Sequence, residues 1–127
     1  MTTGYAMAKR IEKPWGYELL WSHTDHYAGK LIHINPGSRL SLQYHEHKHE
    51  SILVLSGTLL LHLGQGDDAR IRELSPGESY DIPVGDIHRF AAPRDTDVEI
   101  IEVSTPELDD VIRLEDDYHR ADEDRKS

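Results

Sequence analysis

The sequence contains no cysteine. Disulfides, thiolate zinc sites and a cysteine nucleophile are therefore excluded, and any metal must be held by imidazole, carboxylate or amide oxygen. Long hydrophobic runs are also missing: none approaches the roughly eighteen residues of a membrane-spanning helix. The opening MTTGYAMAKR lacks the apolar stretch of a secretory signal. Both absences predict a soluble, cytoplasmic protein. Positive charge is scarce, with 14 Lys and Arg against 24 Asp and Glu, a formal net charge of −10. Residues 107–127 hold nine acidic and four basic side chains, which assigns half of that excess to the C-terminal sixth of the chain. Without a basic footprint, nucleic acid and an anionic membrane surface are excluded as main partners, although a few converging Lys or Arg can still hold a small anion. No window sustains a 3.6-residue apolar period, so helices are not expected to build the core.

What the sequence does contain is a succession of short alternating runs. They cover Tyr17–Trp21, Ala28–Ile34, Arg39–His45, Ser51–Leu55, Thr58–Leu63, Ala69–Leu74, Ser79–Ile82, Ile87–Ala91 and Val98–Val103. Turn residues separate them, including Asn35-Pro36-Gly37, Ser56-Gly57, Ser75-Pro76-Gly77 and Pro83-Val84-Gly85-Asp86. Many short strands with Gly and Pro turns predict an all-β sandwich or barrel, and 127 residues that are 37% apolar support one core. Pro106 to Ile112 reads equally as a short helix capped by Thr105 or as the approach to a last edge strand. Residues 121–127 are polar and aperiodic and are expected to form a disordered acidic tail.

Alternation along Arg39–His45 puts Gln43 and His45 on one strand face. Glu50 opens the next run, and His88 follows a Pro/Gly turn into another. An amide, two imidazoles and a carboxylate brought together from neighbouring strands suit a borderline or hard divalent metal. The spacing of Gly37, Gln43, His45, Glu50 and Gly57 resembles the first motif of the cupin family, with Gln in place of its first His. Gly77, Pro83, Gly85 and His88 resemble the second motif. The resemblance implies a single cupin barrel over residues 1–120, a double-stranded β-helix or jelly roll. One divalent ion (Zn, Ni, Mn or Fe) would be held in it by Gln43, His45, Glu50 and His88.

A closer resemblance runs from KPWGYE at Lys13 through PGSRLSLQYHEHKHE, LSGT, IPVGDIHR and IIEVS to DDVIRLEDDYHR. These segments resemble the mannose-6-phosphate isomerase domain found at the C-terminus of bifunctional bacterial enzymes. The chain enters that domain almost at Met1, so a preceding nucleotidyltransferase domain is not expected. The resemblance implies a metal-dependent aldose–ketose isomerase acting on a sugar phosphate. Two alternatives are a non-catalytic cupin module binding a sugar or nucleotide-sugar, and a non-haem metal oxygenase using two His and one carboxylate. Candidates for the catalytic base are His47, Lys48 and Glu102, while Arg39, Lys48 and Arg89 are candidates for the anionic group. Arg89 is adjacent to His88, so an unbent strand would turn it away from the metal. His49 is expected to be structural or exposed, and His33 and His62 to be satisfied strand residues. Trp15 and Trp21 are expected to pack in the barrel or a dimer contact. Open sheet edges and apolar outer faces predict a homodimer.

Overall fold

The computed structural model describes residues 7–120, so the tail expected at 121–127 lies outside the described residues. Eleven strands run in chain order: β1 Lys9–Lys13, β2 Gly16–His23, β3 Ala28–Ile34, β4 Leu42–Tyr44, β5 Glu50–Ser56, β6 Leu59–Leu63, β7 Arg70–Leu74, β8 Ser79–Ile82, β9 His88–Ala91, β10 Val98–Ser104 and β11 Ile112–Glu115. They form a six-stranded sheet in the order β1-β2-β3-β10-β5-β8 and a five-stranded sheet in the order β11-β4-β9-β6-β7. Every strand pairing is antiparallel. This is the all-β architecture expected from the alternating runs. No helix among the described residues is long and apolar enough to cross a membrane.

The register explains how one barrel holds both an apolar core and a polar chamber. Strands β3 and β10 pair Ile34 with Val98, Ile32 with Ile100 and Lys30 with Glu102, all at inward positions. The interior therefore changes from hydrocarbon to charge along a single pair of strands. Ile32, Ile34, Leu59, Leu61, Phe90, Val98 and Ile100 are essentially inaccessible and form the apolar end with Trp15. Trp15 sits in the tight turn of the β1–β2 hairpin, whose register pairs Lys13 with Gly16. Full burial of each Leu, Ile or Phe in this cluster contributes about 1.5–3 kcal/mol of hydrophobic stabilisation.

The motif glycines stand where the strands end. Gly57 has φ +75°, and a Cβ there would come within 2.2 Å of the Asp97 carbonyl oxygen, so only glycine fits this crossing. Gly37, Gly77 and Gly85 adopt the same left-handed conformation at their turns.

Most runs shift by a residue or two at their ends, β1 matches no expected run, and two segments differ further. Arg39–His45 narrows to Leu42–Tyr44, because Arg39 makes only an isolated bridge to Ala91 and the chain is irregular between them. The open segment resolves as a turn followed by the edge strand β11, paired with β4. Thr105 caps no helix there; its hydroxyl oxygen accepts from the His49 amide. Trp15 packs in the core, whereas Trp21 is half exposed, with its ring against Gly29 on the outside of the larger sheet.

Candidate metal centre

Four short stretches converge on the polar end of the barrel. His45 lies one residue beyond β4, Glu50 opens β5, His88 opens β9, and Glu102 lies inside β10. Strand pairing fixes their depth: Gln43 is opposite His88, and Glu50 opposite Ser104. His45, Glu50 and His88 are all buried, and one ligand atom from each lies within 4.8 Å of the others.

The hydrogen bonds set the ring orientations. His45 Nδ1 is 2.6 Å from the Asp110 carbonyl oxygen, and His88 Nδ1 is 2.9 Å from that of Asp86. A carbonyl only accepts, so both Nδ1 atoms carry the proton and donate it. In a neutral ring Nε2 is then a lone pair. Both Nε2 atoms approach the same oxygen, Glu50 Oε1, at 3.0 Å from His45 and 2.8 Å from His88. His88 Nε2 is not aligned with that oxygen and is left buried without a hydrogen-bond partner. Two imidazole nitrogens facing one carboxylate oxygen need positive charge between them. Two imidazoles and a carboxylate with their second nitrogens tied to backbone carbonyls are a donor set that fits a divalent cation.

Electrostatics in the chamber separate two carboxyl groups. Burial alone would raise the pKa of Glu50, but its contacts with His45, His88 and Glu102 and the charge of Lys48 hold it well below the usual carboxylate range. Glu102 moves the other way: burial, then the Glu50 charge and their shared hydrogen bond, raise it well above that range against the opposing pull of Lys48 and Lys30. The two carboxyl groups therefore share their charge unevenly, with Glu50 favoured as the anion and Glu102 as the protonated partner.

A cavity of about 90 Å³ adjoins the cluster. Gln43, Lys48 and Glu102 line it as well as His45. The half-buried Gln43 places Oε1 2.7 Å from the Ser41 hydroxyl, which donates to it. Lys48 is buried with Nζ 3.8 Å from Glu50 Oε2. His47 and His49 are exposed, and neither lines the cavity. Arg89 faces the opposite side of β9, where its Nε donates to the Leu40 carbonyl at 2.8 Å, so the strand does not bend to bring it inward. Arg39 also lies outside, in a two-pronged pair with Asp117 at 2.7 and 2.9 Å. His33 is satisfied on the outer face, stacked on Tyr17 and 2.9 Å from Glu99.

The structure adds residues to which the sequence reading gave no role. Asp110 accepts the backbone amides of Glu46, His47 and Lys48 at 3.0, 2.7 and 2.8 Å, and its own carbonyl orients His45. Lys30 pairs with Glu18 at 3.3 Å inside the barrel. Both are charged residues at the inward phase of otherwise apolar strands, a signal that alternation could have supplied. Lys13, Arg113 and Arg120 complete a cationic ring around the cavity. Arg120 is held by the fully buried carboxylate of Asp116 at 2.8 Å.

The chain is similar to bacterial proteins of xanthan and alginate biosynthesis. XanB, a xanthan biosynthesis protein of Xanthomonas campestris, is 34% identical over 89% of this chain and 24% of its own length. The alginate biosynthesis protein AlgA of Pseudomonas aeruginosa is 36% identical over 87% of this chain and 23% of its own. The Escherichia coli K12 mannose-1-phosphate guanylyltransferase is 35% identical over 89% and 23%. The chain thus spans about a quarter of the length of these curated relatives. Among solved structures, a cupin-superfamily sugar phosphate isomerase from Silicibacter pomeroyi matches with TM-score 0.61 and 25% identity over 70% of this chain and 58% of that one. The polyketide cyclase RemF of Streptomyces resistomycificus, at TM-score 0.76 and 20% identity over 98% and 94%, shares the fold. The family model for the mannose-6-phosphate isomerase C-terminal domain matches residues 2–116, and the chain belongs to this family of cupins.

Proposed function

We propose that the chain is a metal-dependent sugar-phosphate isomerase that interconverts mannose 6-phosphate and fructose 6-phosphate. The observation that carries this reading is the approach of two imidazole nitrogens to one carboxylate oxygen beside a cavity ringed by Lys and Arg. His45, Glu50 and His88 would hold the ion, with Gln43 as a fourth, amide ligand. A bound divalent ion supplies Lewis acidity for a carbonyl and its neighbouring hydroxyl without redox change.

The reaction moves a hydrogen between C2 and C1 through an enediol, so it needs a proton donor at the carbonyl oxygen and a base at carbon. Glu102 and Lys48 are the two candidates of the sequence reading that face the cavity, and the raised pKa of Glu102 suits it to the donor role. His47, exposed on its loop, is poorly placed for either step. Lys13, Lys30, Arg113 and Arg120 supply the charge that a phosphate requires. This work would be done in the cytoplasm as a homodimer, for which the exposed Trp21, Leu53, Leu55 and Val103 on the outside of the larger sheet offer an apolar face.

Elemental analysis of the purified protein, coupled to NMR detection of aldose–ketose interconversion across a panel of sugar phosphates, tests the proposal. Bound metal with turnover supports it. Metal with ligand-induced shifts but no turnover selects the binding-module reading, and oxygen uptake by the iron-loaded protein selects the oxygenase.

A further inference from the structure

One wall of the chamber is charged where hydrocarbon would fill it as well. Glu18 on β2 and Lys30 on β3 both line the cavity of about 90 Å³, and Lys30 Nζ lies 3.3 Å from Glu18 Oε1. Their side chains are only 11% and 12% exposed. Lys30 has the inward phase of Ile32 and Ile34 on its own strand, and Glu18 is paired with Ile32 in the register of β2 and β3. A buried ion pair adds little net stability over apolar side chains of similar volume, so packing alone does not account for this one.

The pair stands apart from the metal cluster. Strands β2, β3, β10 and β5 are neighbours in that order and carry Glu18, Lys30, Glu102 and Glu50 at inward positions. Lys30 is thus two strands from Glu50 and Glu18 three, and neither belongs to the group of His45, Glu50 and His88. Burial would lower the pKa of Lys30, but the neighbouring carboxyl groups of Glu102 and Glu18 raise it, so it stays an ammonium at neutral pH. An ammonium has three N–H donors and a carboxylate two acceptor oxygens, so one mutual contact leaves both partners able to bond further. A hydroxyl group donates and accepts at the same atom, which suits an acceptor and a donor 3.3 Å apart. Trp15, Ile32 and Phe90 line the same cavity and offer apolar surface for C–H groups.

We propose that Glu18 and Lys30 are specificity-determining residues that bind a sugar hydroxyl remote from the reacting carbons, Glu18 accepting its hydrogen bond and Lys30 donating to its oxygen. The inference rests on the sugar-phosphate reading and deepens it. With C1 and C2 at the proposed ion, the hydroxyls that extend along this wall away from Glu50 are those on C3, C4 or C5. Glu18 opposes the Lys30 charge at short range, so what Lys30 offers a close ligand atom is a directed N–H more than an unopposed charge.

Mannitol 6-phosphate, a polyol with no carbonyl to isomerise, its 3-, 4- and 5-deoxy analogues and inorganic phosphate, titrated into ¹⁵N-labelled protein, test the proposal. The parent polyol is expected to shift the Glu18 and Lys30 amides, and one deoxy analogue to bind at least about tenfold more weakly, because a site built for a hydroxyl rejects a ligand that lacks it. Removing one charge alone would leave the other buried and unpaired, so Glu18→Gln and Lys30→Met are combined, which also leaves the net charge unchanged. The double variant should bind the parent at least about tenfold more weakly, no longer distinguish that deoxy analogue, and keep its affinity for inorganic phosphate. Glu18→Asp, which keeps both charges and withdraws the acceptor, should weaken the parent but not the deoxy analogue. No binding of mannitol 6-phosphate to the wild type would overturn the sugar-phosphate reading and this inference together. Binding in which every deoxy analogue matches the parent, variants that weaken parent and deoxy analogue alike, or an equal loss of inorganic phosphate would overturn the inference alone.

Discussion

Replacing Asp110 with Ala tests what holds the loop that carries His45. The substitution removes one carboxylate from three backbone donors, the amides of Glu46, His47 and Lys48, while the carbonyl that orients His45 remains in the chain. Glu46 and His47 are exposed, so water can take up their amides, but Lys48 is buried. Leaving one buried donor unpaired costs about 1–3 kcal/mol, and the two solvated ones add little. A loss of about 1–3 kcal/mol in urea unfolding, followed through the buried Trp15, is therefore expected. The same loop carries His45 and Lys48, so the affinity for Zn or Mn against a competing chelator should fall by about 10–100-fold, as when other outer partners of metal ligands are lost. Asp109→Ala, at the exposed neighbour, should change stability by less than about 0.5 kcal/mol. Unaltered metal affinity and stability in Asp110→Ala would refute the claim that this carboxylate organises the loop.

Three further outcomes are expected. Ala at His88 should remove most bound metal while Ala at the exposed His49 should not, by elemental analysis of the folded variants. Burial would raise the pKa of Asp116, yet the side-chain and backbone hydrogen bonds of Arg120 lower it, so its contribution to stability is complete above the unfolded carboxylate pKa and fades as pH falls through the depressed folded value. Asp116→Asn should therefore destabilise the protein at pH 7, and the gap to the wild type should narrow toward pH 2 in thermal melts. Light scattering at micromolar concentration should give twice the 14.5 kDa chain mass, and Leu53→Asp on the exposed apolar face should shift it toward the single-chain value.

Much of the barrel was legible because a half-buried strand writes its two faces directly into the sequence. Ala28–Ile34 appears with unchanged bounds, and the turn glycines mark strand ends with φ values that other residues avoid. Alternation set Gln43 and His45 on one face, and the resemblance to the cupin motifs added Glu50 and His88; alternation also spoke against Arg89 as a group for the anionic substrate, and the structure turns it outward. Strand β1 was not legible: Lys9–Lys13 has one apolar residue, Ile11, and is held by pairing with β2 instead of by an amphipathic pattern. Asp110 was also hidden. Its carboxylate acts on a loop more than sixty positions earlier, and that partnership leaves no periodic trace.

The clamp from Asp110 also sets an order of events during synthesis. His45 and Glu50 emerge early, but His88 comes much later, and the carbonyl that fixes the His45 ring lies 65 positions beyond that ring. A nascent chain that stops short of His88 therefore carries two of the proposed ligands on an unfixed loop and would compete poorly for metal. The proposed ion would be captured tightly only after β11 docks against β4, and would act as a late reporter that the barrel has closed.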